Sequence, residues 1–276
     1  MTLPSGRKTR GRPREDRRLS NDSHALAKPN QSLEKALGLL KSLSDHDGLT
    51  LTELSEKSAL PPSTTHRLLS TLAGHDLVTI DEPSQKWSIG IEALRIGMAF
   101  QRRNNILLAG RPVMTDLMEA TGETVNMAML DGFEVVFVSQ VECHEPIRAF
   151  FGIGQRRASH ASGIGKALLA EMPAERILRG KSLARFTPAT ITDASALRAE
   201  LETIRQRGWS IDDEEANAGM RCIAAPIFNA FGEARAGISL SGPSTRLTPD
   251  RLPELGQKVR AAADRITALI GGHLLT

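Results

Sequence analysis

Residues 60–78, LPPSTTHRLLSTLAGHDLV, decide the reading of this chain. Leu60, Leu68, Leu69 and Leu72 are spaced to lie on one face of a short helix. Pro61 and Pro62 suit its first turn, where a missing N–H costs nothing, and Gly74 is the expected C-terminal stop. The opposite face carries Ser63, Thr64, Thr65, His66 and Arg67, with no acidic residue before Asp76. Short hydroxyls and a guanidinium at the N-terminal end of a helix suit phosphates and base edges in a DNA major groove. An ordinary solvated helix face has the same composition, and this stretch alone does not separate the two readings.

The flanking sequence does. Gln31 to Leu43 places Leu33, Ala36, Leu37, Leu40 and Leu43 on one helical stripe. Thr50-Leu51-Thr52-Glu53 is a capping-box pattern opening a second helix through Lys57, and Ser58 to Leu60 connects it tightly to the third. Leu77 to Ile80 and Lys86 to Ile89 alternate like strands around the turn-rich Asp81-Glu82-Pro83-Ser84-Gln85. Three helices with a short second turn, followed by a β-hairpin, make a winged helix-turn-helix over residues 29–90.

On the segments SLEKALGLLKSL, LTELSEKSALPPSTTHRLLSTLAGHDLV and WSIG, the sequence resembles the N-terminal domain of the IclR family of bacterial transcription regulators. The resemblance implies that Ser63, Thr64, Thr65 and Arg67 meet the operator, with Gln85 and Lys86 in the wing. Trp87 stands where the family usually has Tyr, which keeps an aromatic anchor.

With 276 residues the chain has room for two domains, each with its own core. No apolar run approaches the ~18 residues that a membrane span needs, and the basic, polar N-terminus is no secretory signal. Cys143 and Cys222 fit a reduced, cytoplasmic protein better than a disulfide framework, and the seven histidines show no metal-ligand spacing. Neither a metal nor a cofactor is expected. Eight Lys/Arg against three acids leave the first thirty residues at +5, so the rest carries −2 of the chain's +3. The arm over 1–28, poor in large apolar residues, is expected to be disordered by itself. Within it, Arg10-Gly11-Arg12-Pro13-Arg14 resembles an AT-hook core, in which Arg10, Arg12 and Arg14 would line a narrow minor groove. A generic basic arm on phosphates is the alternative, and both readings place it on DNA.

Residues 91–109 read as a connector helix with Ile91, Leu94, Ile96, Met98, Phe100, Ile106 and Leu107 on more than one face. Burial between the two domains of one chain explains this pattern, and so does pairing with a second subunit. The family resemblance implies the latter, as a homodimer or a homotetramer built from dimers.

Residues 110–276 then read as an α+β domain. Arg111 to Ala120 is helical and stops at Gly122, and Thr124 to Leu130 and Glu134 to Gln140 flank the hairpin signal Asp131-Gly132. Helical patterns follow at 165–170, 173–178 and 194–207. Strands are expected over 221–228 and 234–240, and a long C-terminal helix runs from Thr248-Pro249 to about Ile270. Three segments here hold polar residues that a core would not want. Over His160 to Ala170, a small-residue, glycine-containing turn entering an apolar helix offers N–H groups to an anion, without Walker-loop spacing. An acidic segment follows Trp209, and period two puts Ser239 and Ser241 on one sheet face. Each has an ordinary structural reading as a capped helix, an acidic loop or an exposed strand face.

Together these segments resemble the GAF-like effector domain of the same family. That resemblance implies a small-molecule site at Gly163, Ile164, Asp212, Cys222, Ser239 and Ser241, with Ala149 and Met220 as apolar walls. The amides at Gly163-Ile164 would take a carboxylate and the Asp, Cys and Ser residues the other end. Ile164 replaces a commoner Ala, and Arg157 stands where an apolar residue often lines the pocket. DDEEANAGMRCIAAPIF and AGISLSGP look like the glyoxylate-responsive members, including regulators of β-hydroxyaspartate glyoxylate assimilation. An ionised Asp212 would only accept hydrogen bonds, which favours the gem-diol of glyoxylate over the second carboxylate of oxalate.

The sequence thus predicts a ligand-responsive, double-stranded-operator-binding regulator. An enzyme with Cys222 as nucleophile and His160 as base, and an architectural DNA protein, are the alternatives.

Overall fold

Asn30 opens the first helix, its side chain accepting the Ser32 and Leu33 N–H groups at 3.1 and 3.3 Å. The computed structural model describes residues 30–103, 105–173 and 182–273. The basic arm, with Arg10, Arg12 and Arg14, lies outside the described residues, as does the 173–178 helical pattern from 174 on. The chain divides into two units between Gly97 and Met98.

In the first unit, α1 (Gln31–Ser44), α2 (Leu51–Ser58) and α3 (Pro62–Ala73) precede the wing strands β2 (Val78–Asp81) and β3 (Lys86–Ile89). A two-residue strand, β1 (Leu49–Thr50), also pairs antiparallel with β3, giving the order β1-β3-β2. The capping box at Thr50 and Glu53 forms as expected: each side chain takes the other's backbone N–H. The stripe of α1 is rotated from its predicted place. Leu39 and Leu43 are buried beside Ala36 and Leu40, whereas Leu33 and Leu37 are exposed. α3 ends at Ala73 with Gly74 as its C-cap, as expected; Gly74 stays right-handed at φ −60°, and Asp76 takes the left-handed conformation at φ 55°. Leu39, Leu54, Leu69, Leu72, Val78 and Trp87 form the core of this unit.

The connector is described as α4 (Ile91–Arg103) and α5 (Asn105–Thr121), with residue 104 between them outside the described residues, and helix continues past the expected end at 109. Ile106 and Leu107 pack on the core of the second unit with Val113, Met114, Leu117 and Met118, so burial holds this helix through Pro112. At Gly110 the helix comes close to the strand carrying Met127, where a Cβ would meet the terminal methyl of that residue.

The second unit is built on one antiparallel sheet with strand order β6-β5-β4-β9-β8-β7. Its strands are β4 (Thr124–Asp131), β5 (Glu134–Val141), β6 (Arg156–Ala158), β7 (Ser210–Asp213), β8 (Met220–Phe228) and β9 (Ala234–Pro243). The helices are α6 (Gly163–Ala170), α7 (Ala194–Arg207) and α8 (Leu252–Leu269). Period two divides the sheet residues between two cores. Val125, Met127, Ile223, Ala225, Ile238 and Leu240 face α5 and α8. Ala128, Val135, Phe137, Cys222 and Ala224 face α6. Among the described residues no helix is long and apolar enough to cross a membrane.

Candidate effector site and nucleic-acid interface

The register of three neighbouring strands builds the floor of a site beneath α6. Asp212 pairs with Cys222 and Cys222 with Ser241, so these three side chains share one rung and one face. Ser210, Ala224 and Ser239 form the next rung. Asn126, opposite Ser239 on β4, donates to the Ser241 hydroxyl at 3.2 Å and accepts from Gln140 at 2.8 Å. All four hydroxyl and amide side chains of Asn126, Ser210, Ser239 and Ser241 are buried.

The start of α6 closes this floor. Ser162 is its N-cap and accepts the Gly165 N–H at 3.3 Å, while Ser210 donates to the Gly163 carbonyl at 2.6 Å. Gly163 and Ile164 lie in the first turn, where helical geometry supplies no carbonyl for their N–H groups. The helix sits close to the sheet: a Cβ on Gly163 would be 3.3 Å from the Cys222 Cβ, and one on Gly165 would collide with the Ser159 backbone. A small cavity of about 20 Å³ lies between helix and sheet, bounded by Gly163, Ile164, Asp212, Cys222, Ser239 and Ser241. At ~10–15 Å³ for one water by the same measure, this space admits one to two water-sized groups, so a ligand here is small.

Six of the predicted effector residues therefore meet at one cavity. Ala149 and Met220 do not line it. Ala149 is buried in the apolar cluster beneath α6, and Met220 packs on that cluster's edge, so neither wall assignment is retained. Phe137, Phe151, Arg157, Ser162 and Ala216 complete the lining.

Electrostatics change the character of the acidic end. Asp212 is buried and accepts the Glu215 and Ala216 N–H groups at 2.8 and 3.3 Å. Burial first, then the nearby Glu215 charge, raises its carboxyl from 3.8 to about 7, against those N–H groups and Lys166. Asp212 is thus both donor and acceptor near neutrality, which replaces the expectation of a fixed carboxylate. Lys166, on the buried side of α6, pairs with Glu215, and both are almost fully buried. The Thr187 and Thr190 hydroxyls donate to the Glu215 carbonyl at 3.3 and 2.7 Å. This ion pair ties the helix carrying Gly163 and Ile164 to the loop that follows β7, the strand carrying Asp212. Sequence reading missed it, because its partners are 49 positions apart and Glu215 looked like one acid in a solvated loop.

Cys222 is not placed as a nucleophile. Burial, then the Asp212 charge, pushes its thiol up, against the Ser241 hydroxyl and the Arg157 guanidinium. His160 is buried with Nε2 2.9 Å from the Ala184 carbonyl, and its ring stacks on Phe133 outside the cavity. Among the described residues no group of His, Cys, Asp and Glu is arranged to hold a metal.

In the first unit α3 exposes Ser63, His66, Arg67 and Ser70, and Thr64 is half-buried. Thr65 departs from its expected place. It is fully buried and its hydroxyl donates to the Pro61 carbonyl at 3.2 Å, so it belongs to the core and not to the polar face. At the wing, Lys86 is exposed, and Gln85 sits left-handed at φ 54° with Nε2 donating to the Glu82 carbonyl at 2.8 Å.

Residues 98–268 match the family described as bacterial transcriptional regulator IclR C-terminal, and residues 32–82 match the IclR helix-turn-helix domain. The chain belongs to the IclR family. It is 48% identical over 240 residues to the HTH-type transcriptional regulator BhcR of Paracoccus denitrificans, covering 86% of each chain. It is 41% identical to the transcriptional repressor IclR of Escherichia coli, covering 88% of this chain and 90% of that one. The crystal structure of Thermotoga maritima IclR matches with a TM-score of 0.73 at 29% identity, over 87% of this chain and 99% of that one. This IclR-family chain is a ligand-responsive DNA-binding transcriptional regulator, and its relatives are regulators and not enzymes.

Proposed function

We propose that a small 2-oxo acid, with glyoxylate preferred, is the effector of this regulator, and that it acts on operator binding through a homo-oligomer. The observation that carries the reading is the facing of the first turn of α6 by the Asp212–Cys222–Ser241 rung across a cavity of about 20 Å³. One carboxylate fits the amides of Gly163 and Ile164. The hydrated aldehyde of glyoxylate then offers two hydroxyls to Asp212, Ser239 and Ser241, each able to donate and accept. Ile164 is buried against the sheet at Gly237, which supports a short acid over a bulky one.

Ser63, Thr64 and Arg67 would read the operator, with Lys86 and Gln85 on the flanking backbone and the arm of Arg10, Arg12 and Arg14 beyond it. The wing carries Asp81 and Glu82 beside Lys86, so the net wing contribution is small. A self-association surface is supported by α4, where Ile91, Leu94, Ile96 and Met98 are 40–72% exposed. Effector binding would favour one arrangement of the oligomer and so change half-site spacing. Calorimetry with glyoxylate, pyruvate and oxalate on the full chain tests the effector. Glyoxylate is expected to bind tightest, pyruvate more weakly and oxalate weakest at a pH above about 8, where Asp212 is ionised. Tighter binding of oxalate there would overturn the assignment.

A further inference from the structure

Arg157 enters the effector cavity from the side of the sheet opposite Asp212. β6 is the outer strand at one edge and β7 at the other, and both contribute to the lining. Alternation along β6 sends Arg156 outward, where it pairs with Asp131 and Glu134, and leaves Arg157 on the other face. The Cα partner of Arg157 is Val135, buried beneath α6, and Phe137 on the same face of β5 lines the cavity. The Arg157 guanidinium carbon lies 5.9 Å from the centre of the Phe151 ring, and that ring stacks on Phe137 at 4.6 Å. The two aromatic rings therefore hold the arginine along the cavity wall.

Among the described residues no carboxylate pairs with this half-buried guanidinium, and its Nε is buried with no hydrogen-bond partner. The planar fork of arginine donors matches a carboxylate. Lys166 is engaged by Glu215, and Asp212 accepts two backbone N–H groups. Arg157 lines a cavity whose remaining polar groups include the α6 turn and the Asp212–Ser241 rung.

We propose that Arg157 binds the effector's carboxylate together with the first-turn amides of α6, leaving Asp212, Ser239 and Ser241 for the oxygens at its other end. This rests on the small-acid reading of the pocket and deepens it. The site becomes two-ended, cationic on the β6 side and hydroxyl-rich on the β7 side. Its ligands are short monocarboxylates bearing a hydroxyl or hydrated carbonyl on the adjacent carbon. Neutral aldehydes and esters of the same shape are excluded for want of the charge that Arg157 requires.

The test compares glyoxylate with its neutral methyl ester by calorimetry on the full chain and on Arg157→Leu, Arg157→Gln and Arg157→Lys. The wild type is expected to prefer the acid. In Arg157→Leu that preference falls by ~10–100-fold, the value of a lost charge-assisted contact. Arg157→Lys restores part of it, and Arg157→Gln, which keeps a donor without the charge, does not. Thermal midpoints monitor folding, and Arg157→Gln serves if the leucine variant does not fold. An unchanged preference in Arg157→Leu, or equal losses for acid and ester, would overturn the role of Arg157 while leaving the small-acid effector intact. Failure of the wild type to bind any short 2-oxo acid would instead sink the reading on which it rests.

Discussion

Replacing Asp212 by Asn should make the effector-free protein more stable and make the effector bind more weakly. The carboxyl of Asp212 is raised from 3.8 to about 7, so the folded chain holds a proton that the unfolded chain has released. Stability is therefore lost as pH rises from about 4 to about 7, because over that window the folded state binds more protons. At 1.36 kcal/mol per unit the cost is about 2 kcal/mol near pH 5.5 and about 4 kcal/mol above pH 7. Asn keeps an oxygen for the Glu215 and Ala216 N–H groups and carries no charge beside Glu215. The attraction of Lys166 is already contained in that raised value as an opposing cause. The gain in thermal midpoint for Asp212→Asn should then be larger at pH 8 than at pH 5.5 by ~4–8 °C, taking ~2–4 °C per kcal/mol. Thermal unfolding at the two pH values, followed by calorimetry with glyoxylate, measures both effects. An equal shift at both values, or a loss of stability at pH 8, would refute the account of Asp212. Such a trade of stability for binding is common where a buried charge serves a ligand.

The other expectations follow from single residues. Arg67→Ala should weaken operator binding by ~1–3 kcal/mol with little loss on scrambled duplex, read by gel-shift titration; an equal loss on both would make Arg67 a phosphate contact. Thr65→Val should cost ~1 kcal/mol of stability and leave operator affinity unchanged, because Thr65 is buried on Pro61 and does not face DNA. Removing residues 1–28 should flatten the salt dependence of DNA binding by ~0.9 for each phosphate neutralised. If Arg10, Arg12 and Arg14 act as an AT-hook, the loss is larger on operators flanked by A·T tracts. Gly165→Ala forces a methyl against the Ser159 backbone, so it should lower stability by ~1–3 kcal/mol and weaken glyoxylate binding by moving the α6 turn.

Local signals carried most of the winged helix-turn-helix. The Thr50–Glu53 capping box, the Leu69 and Leu72 spacing and the turn before Gln85 all act within a few residues, and each formed. Thr65 was misplaced although Thr65, Leu69 and Leu72 stand at i, i+4 and i+7. A hydroxyl marks a polar face only when it cannot bond inside the helix, and here the Pro61 carbonyl takes it. Leu33 and Leu37 misled in the opposite sense, since an apolar stripe does not say which part of it has a partner. In the second unit the hairpin signalled by Asp131-Gly132, whose two turn residues are Gly132 and Phe133, and the α7 helix, capped by Asp193 and ended by left-handed Gly208, were legible for the same local reasons. β6 was not, because its three residues at a sheet edge carry no alternation of their own. The site itself was legible only in part. Period two put Ser239 and Ser241 on one face, but the rung joining Asp212, Cys222 and Ser241 depends on register between strands, which family resemblance supplied and residue spacing did not. The Lys166–Glu215 pair, Phe151 and the inward turn of Arg157 are products of tertiary packing alone.

The most direct test of the whole account joins the two units. The full chain is titrated, by fluorescence anisotropy, onto a duplex that it selects from a random pool, with and without glyoxylate, beside the Asp212→Asn variant. The account predicts that glyoxylate shifts the wild-type binding curve, with its half-maximal effect at the concentration that half-saturates the pocket in calorimetry. Asp212→Asn should bind the same duplex and require more glyoxylate for the same shift. A wild-type curve that saturating glyoxylate leaves in place would contradict the claim that this pocket governs DNA binding.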